Sequence, residues 1–139
     1  MDTIVIYIIY ILVKFLAYAA WSYLGLKILA GFSAPSKRQA LSFGFLRLLM
    51  GGMFGVLIFL MYPTGPEALV VKYIGIYGAV RLVEWGLLGL LIYSVSDRPR
   101  PYSRAFLYWV IGGILVSFAV DLLSPAGIDG HFCVGRCLG

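Results

Sequence analysis

The sequence predicts an all-α, polytopic membrane protein that folds as a four-helix transmembrane bundle. Of its 139 residues, 62% are hydrophobic and only 12% are charged, whereas soluble domains carry about 25% charged residues. The apolar residues gather in four long segments, and a helix needs about 20 residues to cross the hydrocarbon core. The segments lack the alternation of a membrane barrel, so helices are the remaining way to satisfy the backbone in lipid.

The four predicted spans cover residues 4–32, 41–62, 69–93 and 105–123. Stretches rich in proline, glycine or serine separate them, at 33–36, 63–66, 98–101 and 124–127. We expect the first span to be a retained helix, since Asp2 stands where a signal peptide would carry basic residues. Residues 124–139 form a C-terminal tail.

The lysines and arginines of the loops predict the orientation. The first and third loops hold the following basic residues: Lys37, Arg38, Arg98, Arg100 and Arg104. The N-terminus and the second loop hold none, and the tail holds only Arg136. Because positive loops stay in the cytoplasm, both termini are expected outside, in a plasma membrane or a bacterial inner membrane.

The two halves of the chain resemble each other at a spacing of 61 residues. Two dipeptides of the second span fall on the same dipeptides of the fourth: Phe45-Leu46 on Phe106-Leu107, and Gly51-Gly52 on Gly112-Gly113. Two related hairpins of the same orientation would form a parallel repeat, as in some transporters. A chance likeness between two glycine-rich membrane helices is the alternative.

Three charged residues inside the spans form the main candidate site. Arg81 and Glu84 are three residues apart and share one helix face, and Arg47 is expected at a similar depth. A lone charge at the centre of a bilayer costs about 3 kcal/mol. Two interpretations are open: a polar site for an anionic headgroup, an ion or a proton, or a structural salt-bridge cluster. The trio's net positive charge favours an anion such as a lipid phosphate.

Lys72 and Asp121 lie at similar predicted depths nearer the outside, and we expect them to form a separate outer charged pair. Lys14 is deep in the first span, whereas Lys27 is close enough to its cytoplasmic end to reach the headgroups.

Small residues on the helices point to close packing between helices. Gly51 and Gly55 have the GxxxG spacing, and Gly112-Gly113 with Ser117 add further small positions. They indicate either a homodimer or docking face, or packing within one bundle.

The tail, which is expected to be extracytoplasmic, carries two cysteines. Cys133 and Cys137 are candidates for a disulfide. A metal site with His131 and a redox-active thiol pair are the weaker alternatives, since a metal site requires a fourth ligand.

No catalytic motif and no cofactor signature occurs in the sequence. We therefore expect a small non-enzymatic membrane protein that works as an oligomer or as an accessory subunit of a membrane complex. The alternatives are a small transporter or channel lined by the charged trio, and a protein that binds or processes an anionic lipid phosphate. The expected partners are the bilayer, further copies or other membrane subunits, and an anionic lipid or small anion. Nucleic acid is not expected, because the basic residues are scattered.

Overall fold

Four helices make up the part of the chain that the computed structural model describes, which is residues 2–61, 70–96 and 104–124, without the side chains of 70–72. They are α1 (Thr3–Ile28), α2 (Lys37–Met61), α3 (Val70–Ser94) and α4 (Arg104–Asp121). All four are long and apolar enough to cross a membrane. The predicted all-α class with four helices is confirmed, and an integral membrane protein fits this architecture.

The ends of the first two helices are decided by backbone geometry rather than by hydropathy. The apolar run reaches Phe32, but α1 ends at Ile28, because Gly31 adopts a φ of 73° that continues no right-handed helix. Conversely, α2 starts before its apolar run. The Ser36 carbonyl accepts a hydrogen bond of 3.1 Å from the Ala40 N–H, so the polar residues that follow Ser36 form its first turn.

Contacts between distant residues show that α1 and α4 run antiparallel. The Tyr10 hydroxyl reaches Asp121, and Trp21 lies against Trp109. We call the half of the bundle that contains 3–15, 50–61, 70–81 and 114–121 the terminal half. The other half, where α1 ends and α2 begins, is the loop half.

Aromatic rings fill the centre of the bundle. Trp85 packs edge-on against Tyr18 and Trp109, with ring centroids 5.6 and 5.3 Å apart, an arrangement that aromatic quadrupoles favour. Trp21 and Trp109 each donate the indole N–H to the other's backbone carbonyl, at 3.0 and 3.1 Å. These reciprocal bonds join α1 to α4 and give both indole N–H groups an acceptor.

Glycines allow these elements to approach closely at a few positions. A Cβ at Gly113 would lie 2.5 Å from the Trp85 ring, and one at Gly25 would lie 2.7 Å from the Trp109 ring. At Gly44 a Cβ would lie 2.7 Å from both the backbone nitrogen and the Cα of Ala19. The last contact is between backbones, so no side-chain rotation relieves it.

Gly44→Ala is therefore expected to destabilise the bundle by about 1–3 kcal/mol, because α1 and α2 must move apart. Gly86→Ala in α3 is the control, since no described atom lies within 4 Å of a Cβ built there. Unfolding in mixed micelles measures both variants. Equal stabilities of the two variants would contradict the close contact between α1 and α2.

The terminal half is packed less closely than the loop half. Between Thr3 and Val13, every residue of α1 except the half-buried Tyr10 is exposed in the isolated chain. By contrast, Tyr18, Ser22 and Leu26 in the second half of α1 are fully buried. The first three turns of α1 therefore project from the bundle with large apolar side chains around them.

Candidate functional site

Five charged side chains meet inside the bundle, and every helix contributes at least one. They are Lys14 from α1, Arg47 from α2, Arg81 and Glu84 from α3, and Asp121 from α4. We call them the charge network. Three are cations and two are anions, so the network carries one net positive charge among the described residues.

In the terminal half, the charge network is centred on Asp121, which joins α4 to α1 and α3. Its Oδ1 accepts hydrogen bonds from the Lys14 ammonium at 2.9 Å and the Tyr10 hydroxyl at 2.8 Å. Its Oδ2 accepts from the Tyr73 hydroxyl at 3.1 Å and forms an ion pair with Arg81. Each carboxylate oxygen thus has two donors, and the carboxylate is well satisfied.

Arg81 reaches Asp121 because helix side chains point towards the N-terminus of their own helix. The N-terminus of α3 lies in the terminal half, where α4 ends with Asp121. The Phe118 ring covers the Arg81 guanidinium at 3.9 Å from Cζ to the ring centroid, and the Tyr77 ring lies at 5.7 Å. These cation–π contacts hold the guanidinium inside the bundle.

Arg47 and Glu84 form the second ion pair of the network, with 2.5 Å between Nη2 and Oε2. Arg47 also donates a longer hydrogen bond of 3.5 Å to Ser117. The Ser117 hydroxyl accepts a hydrogen bond of 2.9 Å from the Trp85 indole and donates one of 2.9 Å to the Gly113 carbonyl. Arg47 is 1% exposed and Glu84 is 3% exposed, so this Arg47–Glu84 pair is wholly enclosed.

Two aromatic rings cover the Arg47 guanidinium as well. Its Cζ lies 4.8 Å from the centroid of Tyr18 and 5.0 Å from that of Trp85. A cation–π contact provides no hydrogen-bond acceptor, so the guanidinium N–H groups still need acceptors of their own.

The network has more hydrogen-bond donors than acceptors. Arg47 Nε, Arg47 Nη1 and Arg81 Nη1 are buried and have no hydrogen-bond partner among the described residues. The Ser22 hydroxyl is also buried without a hydrogen-bond partner among the described residues. A buried donor without an acceptor costs about 1–3 kcal/mol, and more when it is charged. The network is therefore suited to receiving an additional acceptor, and its net charge favours a negative one.

The structure brings the predicted trio into one network but divides it between two carboxylates. Arg47 lies against Glu84, whereas Arg81 pairs with Asp121. The predicted pair of Lys72 and Asp121 is not described, because the Lys72 side chain lies outside the described part. Instead, Lys14 and Arg81 are the cations in contact with Asp121.

Sequence reasoning missed the polar partners on neighbouring helices, which are Tyr10, Tyr73 and Ser117. In the sequence, Tyr10 lies near the start of the first predicted span, where aromatic residues are typical of the membrane interface, and Ser117 is one of the small packing positions. The signal that would have found Tyr10 is its spacing of four residues from Lys14, which places both on one helix face.

The predicted tail site lies outside the described residues. This applies to the candidate disulfide of Cys133 and Cys137 and to the weaker metal site with His131. Within the described ranges, no three His, Cys, Asp or Glu side chains are grouped so as to hold a metal ion.

No protein family, curated protein or solved structure matches the chain. Its function is therefore argued from the residues and their geometry.

Proposed function

We propose that this chain is a small, non-enzymatic integral membrane protein that works as a homo-oligomer. The observation that carries the proposal is the exposure of α1 on all sides over its first three turns. Ile4 is 71% exposed and Ile9 is 50% exposed, although a separation of five residues places them about 140° apart around the helix. In these turns every side chain except that of Tyr10 is exposed, so they are available for a helix of another chain.

Open small-residue positions lie at the same level of the bundle. Gly52 and Gly55 of α2 and Gly75 and Gly78 of α3 belong to the terminal half. A Cβ built at any of them would meet no described atom within 4 Å. By contrast, Gly25, Gly44 and Gly113 are filled by neighbours within the same chain. The open glycines are therefore not used by the bundle itself and leave helix backbone accessible.

A second copy of the chain is the occupant that fits both surfaces. Copies inserted in the same orientation have equivalent residues at the same depth in the membrane. The exposed part of α1 in one copy therefore meets the open glycines of the next. Large side chains against small ones give close van der Waals packing, which drives helix association in lipid. The Arg47–Glu84 pair is enclosed in each copy and takes no part in this contact.

Gly55→Leu is expected to weaken this self-association by on the order of tenfold, because its side chain fills the surface that receives α1. The measurement is energy transfer between donor-labelled and acceptor-labelled chains in phosphatidylcholine vesicles at decreasing protein-to-lipid ratios. Gly86→Leu is the matched control, since Gly86 is equally open but lies in the loop half of α3.

Two results would contradict the proposal. One is energy transfer that stays at the level of randomly mixed monomers at every protein-to-lipid ratio. In that case the exposed part of α1 would contact only lipid. The other is an equal loss of self-association in both glycine variants.

We further propose that both termini are extracytoplasmic and that Cys133 and Cys137 form a disulfide in the tail. The support is the excess of lysine and arginine in the first and third loops and the oxidising conditions outside the cytoplasm. A membrane-impermeant maleimide should then label intact cells only after reduction. Labelling without reduction would argue against the disulfide. The parallel repeat of the two hairpins stays a prediction.

A further inference from the structure

We propose that Lys14, Arg81 and Asp121 form the binding site for one anion with phosphate or carboxylate chemistry. The three side chains come from three helices and meet in the terminal half of the bundle. We call them the anion triad.

The uncompensated charge of the network belongs to this triad. Glu84 neutralises Arg47, with which it forms a close pair. Asp121 supplies one negative charge against the two positive charges of Lys14 and Arg81, which contact its two different oxygens. The two cations therefore lie on either side of a single carboxylate and repel each other. An anion that contacts both of them would relieve this repulsion, and the surrounding low dielectric strengthens the attraction.

Arg81 supplies an unused hydrogen-bond donor for that anion. The residue is only 5% exposed, and its Nη1 is buried without a partner among the described residues. Asp121 already accepts two donors at each oxygen, so it is poorly placed to take a further one. An oxygen of a phosphate or a carboxylate is the acceptor that guanidinium groups bind most strongly.

Two members of the triad are the accessible part of the network. The side chains of Lys14 and Asp121 are 22% and 14% exposed, against 1% and 4% for those of Arg47 and Glu84, and that of Arg81 is 6% exposed. Asp121 ends α4, but Lys14 lies near the middle of α1 and Arg81 near the middle of α3, so the site lies within the span rather than at its end. The exposed part of α1 lies beside it. Either a dissolved anion or the phosphate of an anionic lipid can supply the chemistry.

Two probes distinguish these sources in the full-length protein. The first is inorganic phosphate, titrated into protein in an uncharged detergent at constant ionic strength. The second is phosphatidylglycerol, added to phosphatidylcholine nanodiscs. We expect the melting temperature to rise with saturation in at least one titration. Stabilisation by phosphate assigns the site to a dissolved anion, and stabilisation by phosphatidylglycerol alone assigns it to a lipid headgroup.

Lys14→Gln provides the decisive variant, since it makes the triad neutral and keeps the ion pair of Arg81 with Asp121. We expect the affinity for the active probe to fall by about tenfold or more. Lys27→Gln is the matched control, because it removes the same charge from an exposed position of the same helix. Arg81→Lys keeps the charge but removes the Nη1 donor, and it should also weaken binding while Lys27→Gln does not.

The proposal is overturned if neither probe raises the melting temperature of the wild-type protein. It is also overturned if Lys14→Gln and Lys27→Gln reduce the affinity equally, since binding would then depend on overall charge. If Lys14→Gln fails to fold, the comparison of Arg81→Lys with Lys27→Gln decides in the same way.

Discussion

Glu84→Gln is expected to lower the free energy of unfolding by about 3–5 kcal/mol, the usual cost of leaving one member of a buried ion pair alone. Arg47 is 1% exposed and has its only described carboxylate partner in Glu84. The Nε and Nη1 donors of Arg47 already lack acceptors. The neutral amide of the Glu84→Gln variant would remove the negative charge of Glu84, so the Arg47 charge would have little to stabilise it. Unfolding by denaturing detergent in mixed micelles measures the loss.

The double variant Arg47→Met with Glu84→Leu is the control for this prediction. It removes both charges and fills the space with apolar side chains, so we expect it to be more stable than Glu84→Gln alone. A Glu84→Gln protein as stable as wild type would show that the carboxylate does not compensate Arg47. A double variant less stable than the single one would show that packing rather than charge holds this region.

Asp121→Asn is expected to destabilise the bundle by a similar amount, about 3–5 kcal/mol. The substitution leaves Lys14 and Arg81 without their carboxylate and weakens the hydrogen bonds from Tyr10 and Tyr73. Because Asp121 holds Tyr10 and Lys14 of α1, we expect the first half of α1 to separate from the bundle first. Relative to the wild type, hydrogen exchange should accelerate more in the first half of α1 than in α2.

Asp2→Asn is the matched control for the Asp121 variant, since Asp2 is exposed at the same end of the bundle and its side chain makes no capping bond. Its effect should stay within about 0.5 kcal/mol. Adding Lys14→Gln to Asp121→Asn should recover part of the lost stability, because it removes one of the two unpaired cations. If the double variant is less stable than Asp121→Asn, Lys14 stabilises the bundle other than through this carboxylate.

Much of the fold was predictable from composition and pattern. Long apolar segments can bury their backbone polar groups in lipid only as helices, so the number and type of elements followed from hydropathy alone. The helix ends were less predictable, since they depend on local geometry such as the positive φ of Gly31 and the hydrogen bond at Ser36. Hydropathy shows where an apolar segment begins and ends, but a helix can begin before that segment or end within it.

The candidate site was predictable in its residue types but only partly in its pairing. The cost of intramembrane charge identified Arg47, Arg81 and Glu84 as residues that need partners. Counting residues along each span placed Arg47 near Glu84. The same counting treated each side chain as if it stayed at the level of its own backbone, and this separated Arg81 from Asp121. A long arginine side chain that points along its helix reaches about one turn further.

The apolar pattern was enough to predict four helices with several costly charges inside them. It could not predict which charges meet, because partners on different helices depend on helix rotation and on side-chain direction, and neither is encoded in spacing along one helix. The tertiary structure pairs Arg47 with Glu84 and gathers Lys14, Arg81 and Asp121 in the terminal half. The same three-dimensional arrangement left Arg81 Nη1 without an acceptor, and that orphaned donor is the basis for the proposed anion site.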